Sequence, residues 1–199
     1  HNRNRVRTKD GWSWITAPVE KSALDTPMNA VRIAETNNPR WRDKIESAVR
    51  LSYGKAPFFH DAFDELGALL GNSGPLLVGL NIPIVEWLLE AFGLHPQVLR
   101  SSDMGIASIA SQRILDICER TGGSTYISGV SGVDYLDLAS FQEAGIAIEQ
   151  QDFHHPIYRQ LYPGFVPQIS AVEAVFLFGN ECGRLLTNEW PDRVEQVFA

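Results

Sequence analysis

Three arginines alternate at the start of the chain, at Arg3, Arg5 and Arg7, and Lys9 continues the series. In an extended strand every second side chain lies on the same face, so the four cations would share one face. A guanidinium group pairs bidentately with phosphate or carboxylate. We therefore expect Arg3, Arg5 and Arg7 to hold the phosphate of a substrate. The alternative is an exposed strand edge that charge protects from pairing.

A glycine-containing loop at residues 128–135 follows a predicted strand and precedes a predicted helix. Ligands of open α/β sheets bind at such strand ends, where glycines let backbone N–H groups approach an anion. The loop has neither the Walker pattern nor the dinucleotide-binding pattern. We expect a catalytic role for Asp134 and binding roles for Ser128, Gly129, Ser131, Gly132 and Tyr135. The alternative is a plain strand-to-helix turn capped by Asp134.

A second polar loop, Ser101, Ser102 and Asp103, also stands between a predicted strand and a predicted helix. Helix capping explains most of this pattern. In a parallel sheet, however, the loop would lie at the same edge as residues 128–135. We therefore expect the two loops to form one substrate site.

The segment at residues 150–165 is aromatic and irregular, and long irregular loops are often functional. His154 or His155 is the best candidate for proton transfer, and Tyr158 and Gln160 are expected to contact substrate. The alternative is an aromatic loop that packs over the sheet edge. Adjacent histidines point in different directions and zinc needs three or four ligands, so we expect no metal. No cofactor is expected either.

Periodicity predicts the elements that position these groups. A β-hairpin turns at Lys9–Gly11, and helices are predicted over residues 39–53, 57–70 and 76–92, the last with Pro83 inside it. Strands at 97–100, 125–128 and 146–150 then alternate with helices at 106–120 and 136–143, before a final helix at 170–178. This order predicts a single α/β domain over residues 1–199. It would have a parallel-type sheet with flanking helices, a basic N-terminal β-hairpin and an α-helical insertion at about residues 39–93.

The charge is unevenly distributed along the 199 residues. The net charge is −7, yet residues 1–50 carry 10 Lys and Arg against 6 Asp and Glu. The overall acidity argues against general nucleic-acid binding, and the positive N-terminal region favours a local anion site. The apolar runs are too short for membrane insertion. Cys118 and Cys182 fit no metal or redox spacing, which indicates a cytoplasmic protein.

Short motifs spread over almost the whole chain resemble the WbqC-like family of bacterial proteins. They include Asn2–Arg5, Trp14–Val19, Tyr53–Pro57, Leu80–Asn81, Tyr126–Gly129, Asp134–Leu136 and Phe165–Pro167. Two positions depart from the family pattern, because an Asp is usual where Glu173 stands and an Asn is usual near Leu177. The family usually begins with an upstream strand and a Gln-Pro-aromatic-Pro segment. We therefore expect this chain to lack that N-terminal segment.

The resemblance implies a role in bacterial surface-polysaccharide biosynthesis, including that of O-antigen. It implies a transferase that acts on a nucleotide sugar or an activated acyl donor, with aminoacyl or glycyl transfer to an amino sugar as one form. The alternative is a non-catalytic module that binds a sugar nucleotide or a partner enzyme. Either protein would bind a small molecule, and its oligomeric state stays open.

Overall fold

The fold is described from a computed structural model, which describes residues 1–21, 26–130 and 132–187. The internal contacts divide the chain into two compact units. The first unit contains residues 1–96 and the described residues from His155 onward, and the second contains Gln97–His154. Each unit has its own hydrophobic core.

The first unit begins with the predicted β-hairpin. Strand β1 (Arg3–Thr8) pairs antiparallel with strand β2 (Gly11–Thr16). Gly11 adopts a φ of 131°, which side-chain-bearing residues rarely adopt, so a glycine suits this turn. The register places Arg5 opposite Trp14 and Arg7 opposite Trp12. The arginines therefore share one face of the hairpin, as the alternation predicted, and the two tryptophans lie on that same face.

Helices form the rest of the first unit. They are α1 (Trp41–Tyr53), α2 (Phe59–Gly71), α3 (Leu77–Ala91) and α6 (Val172–Phe178), and a 3₁₀ segment (Gly179–Leu186) follows α6. On α1 the buried side chains recur at helical spacing, at Trp41, Ile45 and Val49. Pro83 lies inside α3, as predicted. By contrast, every residue of α6 is buried, so that helix has no solvent-facing side.

The second unit is a small parallel α/β arrangement. Helix α4 (Ala110–Thr121), strand β3 (Thr125–Ser128), helix α5 (Leu138–Glu143) and strand β4 (Ala147–Gln150) follow in that order. The two strands pair in parallel, with Tyr126 beside Ile148. The core includes Leu115 from α4 and Phe141 from α5. Helices thus pack on a parallel strand pair, which confirms the α/β class.

Two predicted elements of the second unit are wrong. Residues 97–100 form no strand, and a short 3₁₀ turn (Ser101–Asp103) follows them. Helix α4 begins at Ala110 rather than near Ile106, because Ile109 is extended, with φ −126° and ψ 169°. The Arg113 guanidinium donates to the Ile106 carbonyl at 2.7 Å and stabilises the irregular approach to the helix. The apolar spacing that predicted a helix therefore extends several residues before the first residue of α4.

Across the part of the chain that the structure describes, no helix is long and apolar enough to cross a membrane. Cys118 and Cys182 are both buried and form no disulfide. Burial raises the pKa of the Cys182 thiol to about 11, which keeps it protonated at neutral pH. We therefore assign both cysteines to packing.

Candidate functional site

Toward its open end, away from the turn at Gly11, the hairpin carries two arginines that stack on two tryptophans. The Arg3 guanidinium carbon lies 4.5 Å from the ring centroid of Trp14, and that of Arg5 lies 5.1 Å from Trp12. The two indole rings meet edge to face at 5.2 Å, and each tryptophan is more than two-fifths exposed. We call Arg3, Arg5, Trp12 and Trp14 the arginine–tryptophan face. It offers cations and aromatic surface to solvent together.

Arg7, the third arginine of the series, is in a different environment. It is only 2% exposed, and its guanidinium donates to protein acceptors on several sides. These acceptors are Gln160 Oε1 and the carbonyls of Thr8, Gly11, Tyr162, Pro163 and Gly164. Arg7 therefore attaches the loop at residues 160–164 to the hairpin. These contacts use the Nε, Nη1 and Nη2 atoms of its guanidinium group.

A buried polar cluster extends from Arg7 to helix α6. Gln160 Oε1 accepts from Arg7 Nε at 3.1 Å, and Gln160 Nε2 donates to Glu173 Oε1 at 2.8 Å. The Tyr158 hydroxyl donates to the same carboxyl oxygen at 3.0 Å. The Tyr53 hydroxyl accepts the Arg7 backbone N–H at 2.8 Å. We call these five residues the buried polar cluster.

Glu173 is the electrostatic centre of this cluster. Its side chain is fully buried, and among the described residues its Oε2 atom has no hydrogen-bond partner. Burial raises the pKa of the Glu173 carboxyl, although its hydrogen bonds with tyrosine and glutamine oppose the shift. Burial, followed by the charge of Glu173, raises the pKa values of Tyr53 and Tyr158 far above their usual range. Both phenols therefore stay protonated and can act as donors at any physiological pH.

The two predicted histidines belong to different units and differ in environment. His154 is largely exposed, and its Nδ1 lies 3.6 Å from an exposed carboxylate oxygen of Asp152. His155 is partly buried, with Nδ1 2.8 Å from the Pro156 carbonyl oxygen. The His155 ring also packs edge to face against Phe165 at 5.6 Å. His155 is thus held in place, whereas His154 is at the surface.

Tyr158 and Gln160 line a cavity of about 360 Å³ that is formed by residues 158–165. Both side chains are buried, and both donate to Glu173. Their bonds also give them a structural role, because they fix the loop that covers Arg7.

In the second unit, the glycine-containing loop leaves the end of β3 in a compact turn. Ser128 is fully buried, and its hydroxyl donates to the Gly129 carbonyl at 3.1 Å. A Cβ atom at Gly132 would collide with the Ser128 hydroxyl, so a larger residue there would have to displace that hydroxyl. Asp134 and Tyr135 are exposed to solvent. Ser131 lies outside the described residues.

Two hydrogen bonds join both polar loops of the second unit to the first turn of α4. Ser111 Oγ accepts the backbone N–H of Asp137, which follows the glycine-containing loop, at 2.8 Å. Arg113 donates to the Ser101 carbonyl at 3.3 Å. Ser102 and Asp103 hydrogen-bond to each other and are exposed. The two loops therefore lie at the same end of α4.

Sequence reasoning gave Glu173, Tyr53 and the pairing of arginine with tryptophan no role in the site. An acid within the apolar run of residues 172–178 was the available signal for Glu173. A buried acid there needs polar partners from elsewhere in the chain. As for metals, the described residues contain no cluster of three or more His, Cys, Asp or Glu side chains that could hold an ion.

Together, these features define an α/β protein whose first unit carries an exposed arginine–tryptophan face and a buried polar cluster. The chain belongs to the WbqC-like protein family, whose model matches residues 1–184. It is similar to the uncharacterized protein Rv1507c of Mycobacterium tuberculosis (strain ATCC 25618 / H37Rv). The two are 28% identical over 183 residues, which cover 90% of this chain and 78% of that protein. No solved structure matches the chain significantly.

Proposed function

We propose that the chain is a transferase of bacterial surface-polysaccharide biosynthesis that acts on a nucleotide-activated sugar. The observation that carries the proposal is the arginine–tryptophan face, with Arg3 and Arg5 at its cationic positions. Membership of the WbqC-like family supports it, because that family is loosely associated with polysaccharide and O-antigen genes. Transfer of an aminoacyl group to an amino sugar is one form of the reaction.

The chemistry of this face suits a sugar nucleotide. Guanidinium groups bind phosphate through charge-assisted hydrogen bonds, and indole rings pack against sugar rings or bases. Arg5 already donates to Gln168 Oε1 at 2.7 Å, which orients its guanidinium group. A diphosphate could bind across Arg3 and Arg5 while its base or sugar packs on Trp12 or Trp14.

Each of the two units carries some of the remaining predicted residues. In the first unit, His155 is the candidate for proton transfer, because it is held against Phe165 and lies beside Tyr158. In the second unit, the two polar loops at one end of α4 are candidates for a substrate subsite. That subsite includes Ser101, Ser102, Asp103, Ser128, Gly129, Gly132 and Tyr135, with Asp134 and His154 as candidate catalytic groups.

A second candidate is a non-catalytic module that binds a sugar nucleotide. The observation that favours it is the exposure of the catalytic candidates His154 and Asp134. Catalytic groups are usually held by neighbouring side chains in a cleft that limits water. The exposed tryptophan pair would serve binding alone equally well.

Binding is tested by titrating uridine diphosphate N-acetylglucosamine while tryptophan fluorescence is followed. The double variant Arg3→Gln/Arg5→Gln is expected to bind about tenfold more weakly, because two charge-assisted contacts are lost. The matched control is Arg40→Gln, which removes an exposed arginine paired with Asp43. Equal affinity in the wild type and the double variant, or no binding by the wild type, contradicts the proposed site.

Catalysis is tested separately by mass spectrometry of the same nucleotide sugar incubated with aminoacyl donors. A transferred group that depends on His155, measured with His155→Gln, supports the transferase. Tight binding with no product from any donor supports the binding module instead. Asp134→Asn then shows whether the loop of the second unit takes part.

A further inference from the structure

Gln168 lies between the loop at residues 160–164 and helix α6, and its backbone conformation is unfavourable for its residue type. Its φ is 59°, in the left-handed region that residues other than glycine rarely adopt. Among residues with longer side chains, asparagine tolerates this region best, and glutamine has no such advantage. The chain therefore carries a conformational cost at Gln168, and such costs cluster at functional sites.

The side chain of Gln168 contacts Arg5 of the hairpin. Arg5 Nη2 donates to Gln168 Oε1 at 2.7 Å, although the two residues are 163 positions apart. The backbone is joined at the same place, because the Ser170 N–H donates to the Arg5 carbonyl at 2.9 Å. Gln168 is itself exposed, whereas Ile169 and Ser170 are buried. Its amide therefore lies beside Arg5 at the surface, on a segment that is attached to β1.

The partner of Arg5 is neutral, which distinguishes Arg5 from another arginine of the same unit. The Arg42 guanidinium carbon also lies over an indole ring, 4.4 Å from the centroid of Trp41. A carboxylate compensates its charge, since Arg42 Nη2 lies 2.6 Å from Glu35 Oε1. Among the residues that the structure describes, Arg5 forms no ion pair with a carboxylate. An amide oxygen orients a guanidinium group but leaves its positive charge available to an anion.

We propose that Gln168 is a positioning residue, which orients Arg5 for a phosphate oxyanion while leaving the charge of Arg5 uncompensated. The ligand class is a phosphate or a diphosphate, bound by Arg5 rather than by Gln168. A guanidinium group that is already oriented loses less side-chain entropy on binding, which raises its affinity for the anion. The proposal rests on the anion site of the proposed function, but not on the sugar or on the reaction.

The first test compares Gln168→Gly with the unmodified protein in titrations of inorganic pyrophosphate, followed by tryptophan fluorescence. Glycine removes the unfavourable backbone conformation together with the amide, so the Tm should not fall. The affinity should fall about fivefold, because Arg5 is no longer oriented. Ala110→Gly is the matched control, since Ala110 has a φ of 50° and lies in the second unit. A lower Tm with unchanged affinity would show a structural role and overturn the proposal.

Gln168→Glu separates the charge of Arg5 from its orientation. Glutamate keeps the length of the side chain and its acceptor oxygen, but it compensates Arg5 as Glu35 compensates Arg42. Pyrophosphate affinity should therefore fall about tenfold or more, further than in Gln168→Gly. Gln142→Glu, which introduces the same charge at an exposed position of α5, is the control. An affinity equal to that of the unmodified protein in Gln168→Glu contradicts the proposal.

A double variant shows whether Gln168 acts through Arg5. In a protein that already carries Arg5→Gln, Gln168→Gly should cause no further loss of pyrophosphate affinity, because no guanidinium group is left to orient. Equal losses with and without Arg5 rule out the positioning role.

The same variants separate this inference from the proposed function. If uridine diphosphate N-acetylglucosamine and pyrophosphate bind to Gln168→Gly as tightly as to the unmodified protein, this inference fails while the proposed function stands. If pyrophosphate binding depends on Gln168 but the nucleotide sugar does not bind, the proposed function fails and the positioning role stands.

Discussion

Arg5 and Arg7 of strand β1 show how one alternating pattern can place two arginines in different environments, one partly exposed and one buried. Arg5 and Arg7 are two residues apart on the same face of the same strand. Arg5 lies over exposed tryptophan rings, and its guanidinium group donates to Gln168. Arg7 is buried among carbonyl oxygens and Gln160. The loop that covers one end of the strand, rather than the strand itself, determines which arginine can meet a ligand.

The difference in burial between Arg5 and Arg7 determines how much each side chain contributes to the free energy of unfolding. A buried guanidinium group stabilises a protein only when its donors are all satisfied, since its desolvation is costly. An exposed guanidinium group contributes little to stability and remains able to bind anions. Substitutions at the two ends of β1 should therefore separate effects on stability from effects on binding.

The largest effect is expected from Arg7→Met. The substitution keeps much of the aliphatic volume but removes the donor of several loop carbonyls and one of the donors to Gln160 Oε1, which still accepts the Val166 backbone N–H at 2.9 Å. The free energy of unfolding should fall by about 3–5 kcal/mol. Denaturant unfolding measures the loss, with Arg40→Met as the exposed control. A loss below about 1 kcal/mol would show that the loop is held by other contacts.

A smaller, pH-dependent effect is expected from Glu173→Gln. Because burial raises the pKa of Glu173 in the folded protein, the folded state retains this proton more strongly than the unfolded state. The stability from this group is fully present below its ordinary pKa of 4.5 and is lost as pH rises through the folded-state pKa.

The Gln variant cannot titrate at this position. Its stability relative to the wild type should therefore increase as pH rises above about 4.5, as followed by unfolding at successive pH values. Glu119→Gln, which changes an exposed side chain, provides the control. A difference between Glu173→Gln and the wild type that is independent of pH would show that the carboxyl has an ordinary pKa.

Tyr158→Phe should cost about 1–2 kcal/mol in unfolding free energy. The variant removes one donor to Glu173 Oε1 but keeps ring packing against Phe165 and Phe178. Gln160 still donates to the same oxygen, which limits the loss. Thermal unfolding measures this cost, and Tyr135→Phe, which changes an exposed tyrosine, is the control. An unchanged Tm in Tyr158→Phe would show that the Tyr158 hydroxyl does not contribute to stability.

The smallest effect on stability is expected from Arg5→Gln. Its unfolding free energy should stay within about 0.5 kcal/mol of the wild type, because an exposed cation over tryptophan contributes little. The same denaturant measurement used for Arg7→Met checks this value. A loss comparable to that of Arg7→Met would abolish the distinction between the two ends of the strand.

Local patterns predicted the elements whose signal is contained in a short segment. The alternation of β1, the Asp10–Gly11 turn and the apolar spacing of α1 each correspond to an observed element. The parallel pairing of β3 with β4 also followed from helices and strands in alternation. These features depend on neighbours in sequence, so one sequence is enough to predict them.

The buried polar cluster could not be predicted in this way. Alternation places Arg7 on the same face as Arg5, but says nothing about a loop more than 150 residues later that covers it. Glu173 belongs to a helix buried on all sides, which has no amphipathic period to reveal its partners. Both facts arise from contacts between distant segments, which composition and spacing do not encode.

The distance along the chain between these partners has a consequence for folding. Arg7 and Gln160 are separated by 153 positions, and Arg5 and Gln168 by 163. During synthesis Arg5 and Arg7 cannot acquire these partners until at least 153 further residues have been added to the chain. Contacts of such high sequence separation slow folding, since a long loop must close before they form. Strand β1 therefore reaches its final environment only after the distant loop has closed on it.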